Sequence, residues 1–225
     1  MNSAEIQDRF NELEPKYRKL ASSLKGSIQD SLVDNNIGYA RTAYRIKSWD
    51  SFLEKAIRKN YVFPFDEIHD LCGFRIIVRN SEEIETICDI LKTEFDVLED
   101  EANDPDPNQF GYRSYHLVVS IKEEWKIVPD YRNYTSFKFE IQVRSELMDT
   151  WANISHQIFY KKGPLSRIIE RKLFRLSALM ELGDAEISQL IISQANSEVL
   201  TGKLQILQEV LDKYLPGRKK VRLIL

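Results

Sequence analysis

Residues 136–144, "SFKFEIQVR", alternate apolar and polar side chains without interruption. Successive side chains of a β-strand point to opposite faces, so this period predicts a strand with one face in a core and one face outside it. The outer face carries four polar side chains: Lys138, Glu140, Gln142 and Arg144. A half-solvated antiparallel strand is the simpler interpretation of this face, and a ligand-binding surface is the alternative.

The rest of the chain reads as short strands mixed with helices. Strands are indicated by "GFRIIV", "DVLEDE" and "SYHLVVSI", and helices by residues 3–25, by "SWDSFLEKAIRKN" and by "SEEIETICDILKTEF". Ser48 or Ser51 can cap the second helix, and Ser81 the third. The chain is mostly helical after residue 146. We therefore expect an α+β fold, in which a mixed, mostly antiparallel sheet of about five strands is flanked by helices.

Composition excludes several classes of protein. Of the 225 residues, 43% are hydrophobic and 30% are charged, which argues against disorder, and the net charge of −3 argues against binding of long nucleic acid through bulk electrostatics. We expect no membrane segment and no signal peptide. Two cysteines lie outside any metal-ligand spacing, which favours a reduced, cytoplasmic chain, and the three histidines form no zinc signature.

Acidic and basic side chains surround two of the predicted strands. Asp70 stands just before "GFRIIV", while Arg75 and Arg79 lie on the face opposite its apolar side chains. If this strand neighbours the strand of Glu140, two carboxylates converge beside arginines on one sheet face. A magnesium-dependent phosphoryl-transfer site needs this combination, because carboxylates hold Mg²⁺ while cations neutralise phosphate charge. A surface ion-pair network is the alternative that these residues leave open.

Two further segments combine cations with features that suit a nucleotide. In "YRIKSWDSFLEK", Arg45 and Lys47 precede a helix N-terminus, which favours anions, and Lys55 follows about two turns later. In "FGYRSYH", residues 110–116, a tyrosine beside an arginine suits stacking on a base while gripping a phosphate. Solvated basic residues and ordinary tyrosine packing are the respective alternatives.

Motifs "RIKS", "DLCGFRIIV", "GYRSYH", "EIQVR" and "HQIFYK" follow one another along the chain. In this order they resemble the synthetase domain of the RelA/SpoT family, in particular its small alarmone synthetases, over about residues 44–161. The resemblance implies a fold related to the nucleotidyltransferases. It also implies an enzyme, a GTP pyrophosphokinase, that transfers pyrophosphate from ATP to the 3′-hydroxyl of GDP or GTP, making (p)ppGpp and AMP.

The resemblance also implies a role for each matching residue. Asp70 and Glu140 would hold Mg²⁺, and Glu140 would also accept the proton of the attacking hydroxyl. ATP would be bound at its adenine by Arg45 and Arg75 and at its phosphates by Lys47, Ser48 and Lys55. The acceptor nucleotide would be bound, with Tyr112 stacking on its base, by Tyr112, Arg113, His116, Gln142, Arg144 and His156.

The chain departs from the family pattern in the loop before "GYRS". This loop is acidic, "EDEANDPDPNQF", where relatives often carry a lysine. An adenosine nucleotide or the 3′ end of tRNA is therefore an alternative acceptor, although the net charge speaks against tRNA. An inactive nucleotide-binding module is a third interpretation, against which the retention of Asp70 and Glu140 argues. No histidine precedes Arg45, so we expect synthesis without hydrolysis.

The resemblance divides the chain into three parts. We expect an N-terminal helical region at 1–43, the synthetase core at 44–161 and a C-terminal helical extension at 162–225. The extension does not match the tetramerising helices of other small synthetases, which leaves formation of a homo-oligomer open. We assign its amphipathic stripe to the core of the fold, namely Leu173, Leu176, Leu179 and Met180.

Overall fold

The computed structural model describes residues 3–38, 40–103, 114–160 and 166–214. Within these ranges the strands are β1 (Ala40–Ile46), β2 (Cys72–Val78), β3 (Phe95–Asn103), β4 (Ser114–Ile121) and β5 (Lys138–Ser145). The helices are α1 (Ser3–Asp34), α2 (Trp49–Lys59), α3 (Pro64–Glu67), α4 (Glu83–Glu94), α5 (Glu146–Tyr160) and α6 (Arg167–Tyr214). The expected α+β class is confirmed.

The described strands form one sheet in the order β1-β2-β5-β4-β3. Strands β2 and β5 are parallel, and the pairs β1–β2, β5–β4 and β4–β3 are antiparallel. The expected mixed, mostly antiparallel sheet is therefore confirmed. The parallel pair sets Gly73 beside Glu140 and Arg75 beside Gln142, so the two strands that carry the candidate carboxylates and arginines are neighbours.

One face of this sheet forms the hydrophobic core. The side chains that alternation assigned to the inner faces of β2 and β5 are at most 1% exposed: Phe74, Ile76, Val78, Phe139, Ile141 and Val143. Helices α1 and α4 cover them with Leu20, Leu24, Ile28, Leu32, Ile84, Ile87 and Leu91. Because α1 and α4 occupy this side, the alternate side chains of the same strands are left to face outward.

Helix α1 is longer than its predicted span of 3–25, since it continues to Asp34. The extension passes through Gly26, which costs about 0.5–1 kcal/mol in a helix interior relative to alanine. It buries Ile28 and Leu32, both at most 2% exposed, and burying a side chain of this size contributes about 1.5–3 kcal/mol. Tertiary packing therefore outweighs the local preference to stop.

Strand β1 and the start of α4 also differ from expectation. The segment "ARTAYRI" forms an edge strand that pairs with β2, although the sequence indicated only a segment leading to a helix. Ser48 caps α2 as predicted, because its hydroxyl accepts from the Ser51 N–H at 3.3 Å. Ser81 does not cap α4; its N–H and hydroxyl bond to Ser188 of α6 instead.

Helix α6 is a single element of 48 residues, about 72 Å long at the usual rise per residue. Its first half packs on α5, and the approach is close at Gly183, where an added Cβ would lie 3.0 Å from the Leu147 side chain. The expected core stripe is partly wrong: Leu173 is buried, but Leu179 is 65% exposed. In the part of the chain that the structure describes, no helix has the length and apolarity to cross a membrane.

The two cysteines are both buried and unbonded. Burial raises the pKa of the Cys72 and Cys88 thiols to about 12. Since the thiolate is the nucleophile and metal ligand, neither thiol is poised for such chemistry at neutral pH.

Candidate active site

The register of the sheet brings five of the predicted site residues to one face, here called the open face. Arg45 of β1 pairs with Gly73 of β2, and Gly73 pairs in turn with Glu140 of β5. His116 of β4 pairs with Gln142 of β5. Paired positions share a face of the sheet, so the open face runs from Arg45 through Arg75, Glu140 and Gln142 to His116.

Asp70 lies in the short 3₁₀ turn that precedes β2, and two lysines hold it. Lys47 Nζ is 2.5 Å from Asp70 Oδ2, and Lys55 Nζ is 2.9 Å from Oδ1. A backbone bond of 2.9 Å from the Lys47 N–H to the Leu71 carbonyl places the end of β1 beside this turn. Burial alone would raise the pKa of Asp70, but the hydrogen bonds and charges of both lysines outweigh it and lower the pKa. Asp70 is therefore ionised at neutral pH.

The Glu140 side chain is held by one residue of its own strand, β5, and by one residue of β4. Its Oε1 lies 3.0 Å from His116 Nδ1, and Gln142 Nε2 donates to its Oε2 at 2.7 Å. Burial and the nearby charge of Asp70 both act to raise the pKa of Glu140, but the contacts with His116 and Gln142 prevail and lower it. The charge of Asp70 is thus near enough to act on Glu140.

These two carboxylates suit a magnesium ion that binds together with a substrate. Mg²⁺ is commonly bound by one or two carboxylates together with waters and substrate phosphates, and both groups here are ionised and only 14% and 17% exposed. Across the described ranges, no three His, Cys, Asp or Glu side chains cluster closely enough to hold a metal by themselves. The two carboxylates therefore suit a Mg²⁺ ion whose remaining ligands are waters and a bound phosphate. They do not suit a permanent structural metal.

Gly73 leaves a gap in the open face. No described atom lies within 4 Å of the position that its Cβ would take. Arg45 is its cross-strand partner, and Arg75 is the next residue of β2 on the same face. Diagonal neighbours on paired strands are about 7 Å apart, so the missing side chain of Gly73 leaves open space between the strand positions of Arg45 and Arg75. Sequence reasoning noted this glycine only as part of a motif and missed its role as the floor of a gap.

Asp149 is a second residue that sequence reasoning missed. It lies in the first turn of α5, and its Oδ1 is 2.8 Å from Arg75 Nη1 and 3.6 Å from Arg144 Nη1. Arg144 is only 6% exposed, so it lies beneath α5 and not on the solvent side of the site. Asp149 thereby fixes the orientation of Arg75, and the signal available in the sequence was an acidic residue one turn after "QVR".

The remaining predicted residues are less closely connected to this centre. Ser48 is exposed at the start of α2, where its hydroxyl serves as the helix cap. His156 is exposed on α5. Tyr112 and Arg113 lie outside the described residues. An unpredicted contact joins His69 Nδ1 to Glu99 Oε1 at 3.2 Å, which links the turn of Asp70 to the edge strand β3.

A family profile described as "Region found in RelA / SpoT proteins" matches residues 44–164. The chain belongs to this RelA/SpoT family. GTP pyrophosphokinase YwaC of Bacillus subtilis (strain 168) is 32% identical over 139 residues, which are 58% of this chain and 63% of YwaC. GTP pyrophosphokinase YjbM of the same strain is 31% identical over 157 residues, which are 65% of this chain and 69% of YjbM. The chain thus spans slightly less than two thirds of YwaC.

Solved structures of the family share the fold. The small alarmone synthetase 1 from Bacillus subtilis superimposes with a TM-score of 0.69 at 25% identity, covering 84% of this chain and 99% of that one. A structure of that enzyme bound to its product pppGpp gives 0.68 at 26% identity, with the same coverage of both chains. All the residues of the open face fall inside the RelA/SpoT match at 44–164, whereas α1 and α6 lie outside it.

Proposed function

We propose that this RelA/SpoT chain transfers pyrophosphate from ATP to the 3′-hydroxyl of GDP or GTP. The 3′-oxygen attacks the β-phosphorus of ATP, the bond from that phosphorus to the α–β bridging oxygen breaks, and AMP leaves. The products are AMP and ppGpp or pppGpp. The observation that carries the proposal is the ionised Glu140 on the open face, beside a gap between two arginines, together with the ionised Asp70 in the turn that leads into β2.

The ATP half of the site follows from the cations of the open face. Arg45 and Arg75 would enclose the adenine above Gly73, since guanidinium planes stack well on aromatic rings. Lys47 and Lys55 hold Asp70 in the protein alone, and their ammonium groups are close enough to reach phosphates that approach this carboxylate. Ser48 would contribute its hydroxyl at the start of α2, where a helix N-terminus also favours negative charge.

Asp70 and Glu140 would hold Mg²⁺, which when bound neutralises phosphate charge and helps to align the reacting groups. Glu140 would also orient the 3′-hydroxyl and take its proton. A carboxylate with a lowered pKa is a weak base, which suits phosphoryl transfer because its loose transition state requires little early proton removal. His116 and Gln142 fix the carboxylate of Glu140, so the proton acceptor is positioned before the substrate binds.

The acceptor would occupy the β4 side of Glu140. Tyr112 would stack on its base, and Arg113, His116, Gln142 and His156 would contact its phosphates and sugar, whereas Arg144, buried beneath α5, would support the site through its contact with Asp149. Support comes from His116: its Nε2 is buried with no hydrogen-bond partner among the described atoms. Such a nitrogen costs free energy, and a rearrangement on acceptor binding that brought a hydroxyl to it would recover that cost. We place the reaction in the cytoplasm, where a chain with unbonded thiols meets ATP and GTP.

The test is a transfer assay with β-³²P-ATP and Mg²⁺, offering GDP, GTP, ADP and tRNA separately. We expect label on GDP and GTP, and none when Glu140→Gln replaces the native chain. Glu124→Gln changes an exposed glutamate in the turn after β4 and is the matched control. Label only on ADP or on tRNA would overturn the choice of acceptor. If the folded chain labels no acceptor, an inactive nucleotide-binding module is the interpretation that remains.

A further inference from the structure

A separate cavity of about 260 Å³ lies between the start of α4, one side of α5 and the first half of α6. It is lined on α5 by Met148 and Trp151, whereas Asp149, between them in sequence, turns toward Arg75 on the open face. Its volume is just below the roughly 300–1,000 Å³ of drug-sized sites. The cavity therefore suits a small ligand and is distinct from the proposed nucleotide site.

The charged groups around this cavity are all acidic. Glu82 and Glu85 come from the beginning of α4, and Glu181 and Asp184 come from α6. Of the residues that the structure describes around it, none is lysine, arginine or histidine. Carboxylates that surround a recess without cations create a negative potential within it. The cavity consequently disfavours phosphates and favours a cation.

Asp184 is the most buried of these four acidic residues. It is only 5% exposed and accepts a hydrogen bond from the Ser145 hydroxyl. The glutamates at the start of α4 complement the positive end of that helix, but Asp184 lies in the middle of α6. No basic partner of Asp184 occurs among the residues with described side chains, and burial raises its pKa. A buried carboxyl group without a cation is costly.

The walls of the cavity select the kind of cation. Tyr115 and Trp151 offer aromatic surfaces, and Met148 and Met180 offer flexible thioethers. Aromatic faces attract ammonium groups and methionines pack against methylene chains. The four carboxyl groups do not converge as a metal site within the described chain. The negative charge is therefore spread along apolar walls, which does not match a compact metal ion.

We propose that this cavity binds a small linear polyamine. One ammonium group would pair with Asp184 at depth, and the methylene segment would lie against Trp151 and the two methionines. A second ammonium group would meet Glu82, Glu85 and Glu181, which are exposed at the rim. This site does not depend on the proposed transferase activity, because its occupation is measured by binding alone.

Spermidine is the probe, measured by calorimetry with the full chain at low salt. Replacing Asp184 by Asn removes the charge while keeping an acceptor for Ser145, so we expect affinity to fall at least about 10-fold. Glu181→Gln, at the exposed rim, should weaken binding by about 2–5-fold. Glu124→Gln lies outside the cavity and should leave affinity unchanged. Trp151 fluorescence should change on binding, and Trp151→Phe should abolish that signal while retaining most of the binding heat.

Equal spermidine affinity in the native chain and in a folded Asp184→Asn variant would overturn the proposal. So would Mg²⁺ binding with the same affinity and the same Trp151 response, because a compact ion would then suffice. If Asp184→Asn fails to fold, the spermidine affinity of the double variant Glu85→Gln/Glu181→Gln tests the proposal instead. We expect a loss of about 10-fold there, and unchanged affinity would refute the site.

Discussion

The candidate active site contains a partly buried aspartate, Asp70, and the cavity beside α6 contains a buried one, Asp184, and the pKa values of these two carboxyl groups shift in opposite directions. Two lysines at hydrogen-bond distance lower the pKa of Asp70 despite its burial. Asp184 has a serine hydroxyl in place of a cation, and burial raises its pKa. Burial alone therefore does not decide the direction of the pKa shift; the partner does.

The same contrast separates what the two regions can bind. At the candidate active site, carboxylates lie near Lys47, Lys55, Arg45 and Arg75, which suits a metal ion with a polyphosphate. In the cavity, carboxyl groups line the walls without described cations, which suits a cationic ligand. The difference arises from sheet register in the first case and from the packing of α6 on α5 in the second.

The largest effect should come from Glu140→Gln. The change is nearly isosteric and leaves His116 and Gln142 in place, so the fold should persist while the proton acceptor and metal ligand are lost. We expect kcat to fall about 1,000-fold, with an unchanged circular dichroism spectrum. Native turnover in this variant would remove Glu140 from the mechanism.

Gly73→Val should have the next largest effect. The open space around Gly73 allows a side chain without a clash, and valine favours a strand, so the protein should fold. The side chain would fill the gap between Arg45 and Arg75, and we expect kcat/KM for ATP to fall about 100-fold. Gly26→Ala, an exposed glycine of α1 with equally open surroundings, is the control. ATP kinetics like those of the control would mean that the adenine binds elsewhere.

A smaller effect should follow from Lys55→Gln. Asp70 keeps its bond to Lys47, so the carboxylate stays paired while one cation is removed from the phosphates. We expect KM for ATP to rise about 10-fold, the size of one charged hydrogen bond. Lys59→Gln, exposed at the end of the same helix, should change nothing measurable. Identical kinetics in both variants would place Lys55 outside the site.

The smallest expected effect is on the stability of Asp184→Asn. Unlike the previous substitutions, which lower activity, this one should raise the free energy of unfolding at pH 7. Because the folded pKa of Asp184 is raised, its contribution to stability is present below pH about 4 and is lost as pH rises through the folded pKa. The variant should therefore exceed the native chain in free energy of unfolding at pH 7, by about 1 kcal/mol. Urea denaturation at several pH values measures this difference, which should grow from pH 4 to pH 7.

Asp70→Asn is the contrasting variant in that experiment. The lowered pKa of Asp70 means that its contribution is present above the unfolded pKa of about 4 and is lost as pH falls through the folded value. The native chain should be the more stable of the two at pH 7, by about 1–3 kcal/mol, and the difference should shrink in acid. Parallel pH dependences for the two aspartates would contradict the comparison between the regions.

Alternation in the sequence predicted the two faces of β2 and β5 correctly, because that signal is local. The strand β1 was missed, since "ARTAYRI" has few buried side chains and becomes a strand only by pairing with β2. That β2 and β5 are neighbours had to be assumed, because α4, β3 and β4 intervene between them in the chain, and their parallel direction was not predicted. Register, not composition, brings Arg45, Arg75, Glu140 and His116 to one face.

The residues that sequence reasoning missed depend on helix packing. Asp149 and Asp184 look like ordinary helical surface acids in the sequence, and only the docking of α5 and α6 buries them. Leu179 was assigned to the core by its spacing, yet the side of α6 that faces α5 carries Ser177, Asp184 and Ser188. A polar buried face cannot be recognised from hydrophobic periodicity.

A mutant cycle on the two carboxylates tests the central claim most directly. Single-turnover transfer from ATP to GDP would be measured in the native chain, in Asp70→Asn, in Glu140→Gln and in the double variant. If both groups act on one bound nucleotide, the double variant should be at most about 10-fold slower than the slower single variant. Losses that multiply across the two positions would show that Asp70 and Glu140 act independently, and the shared site would have to be abandoned.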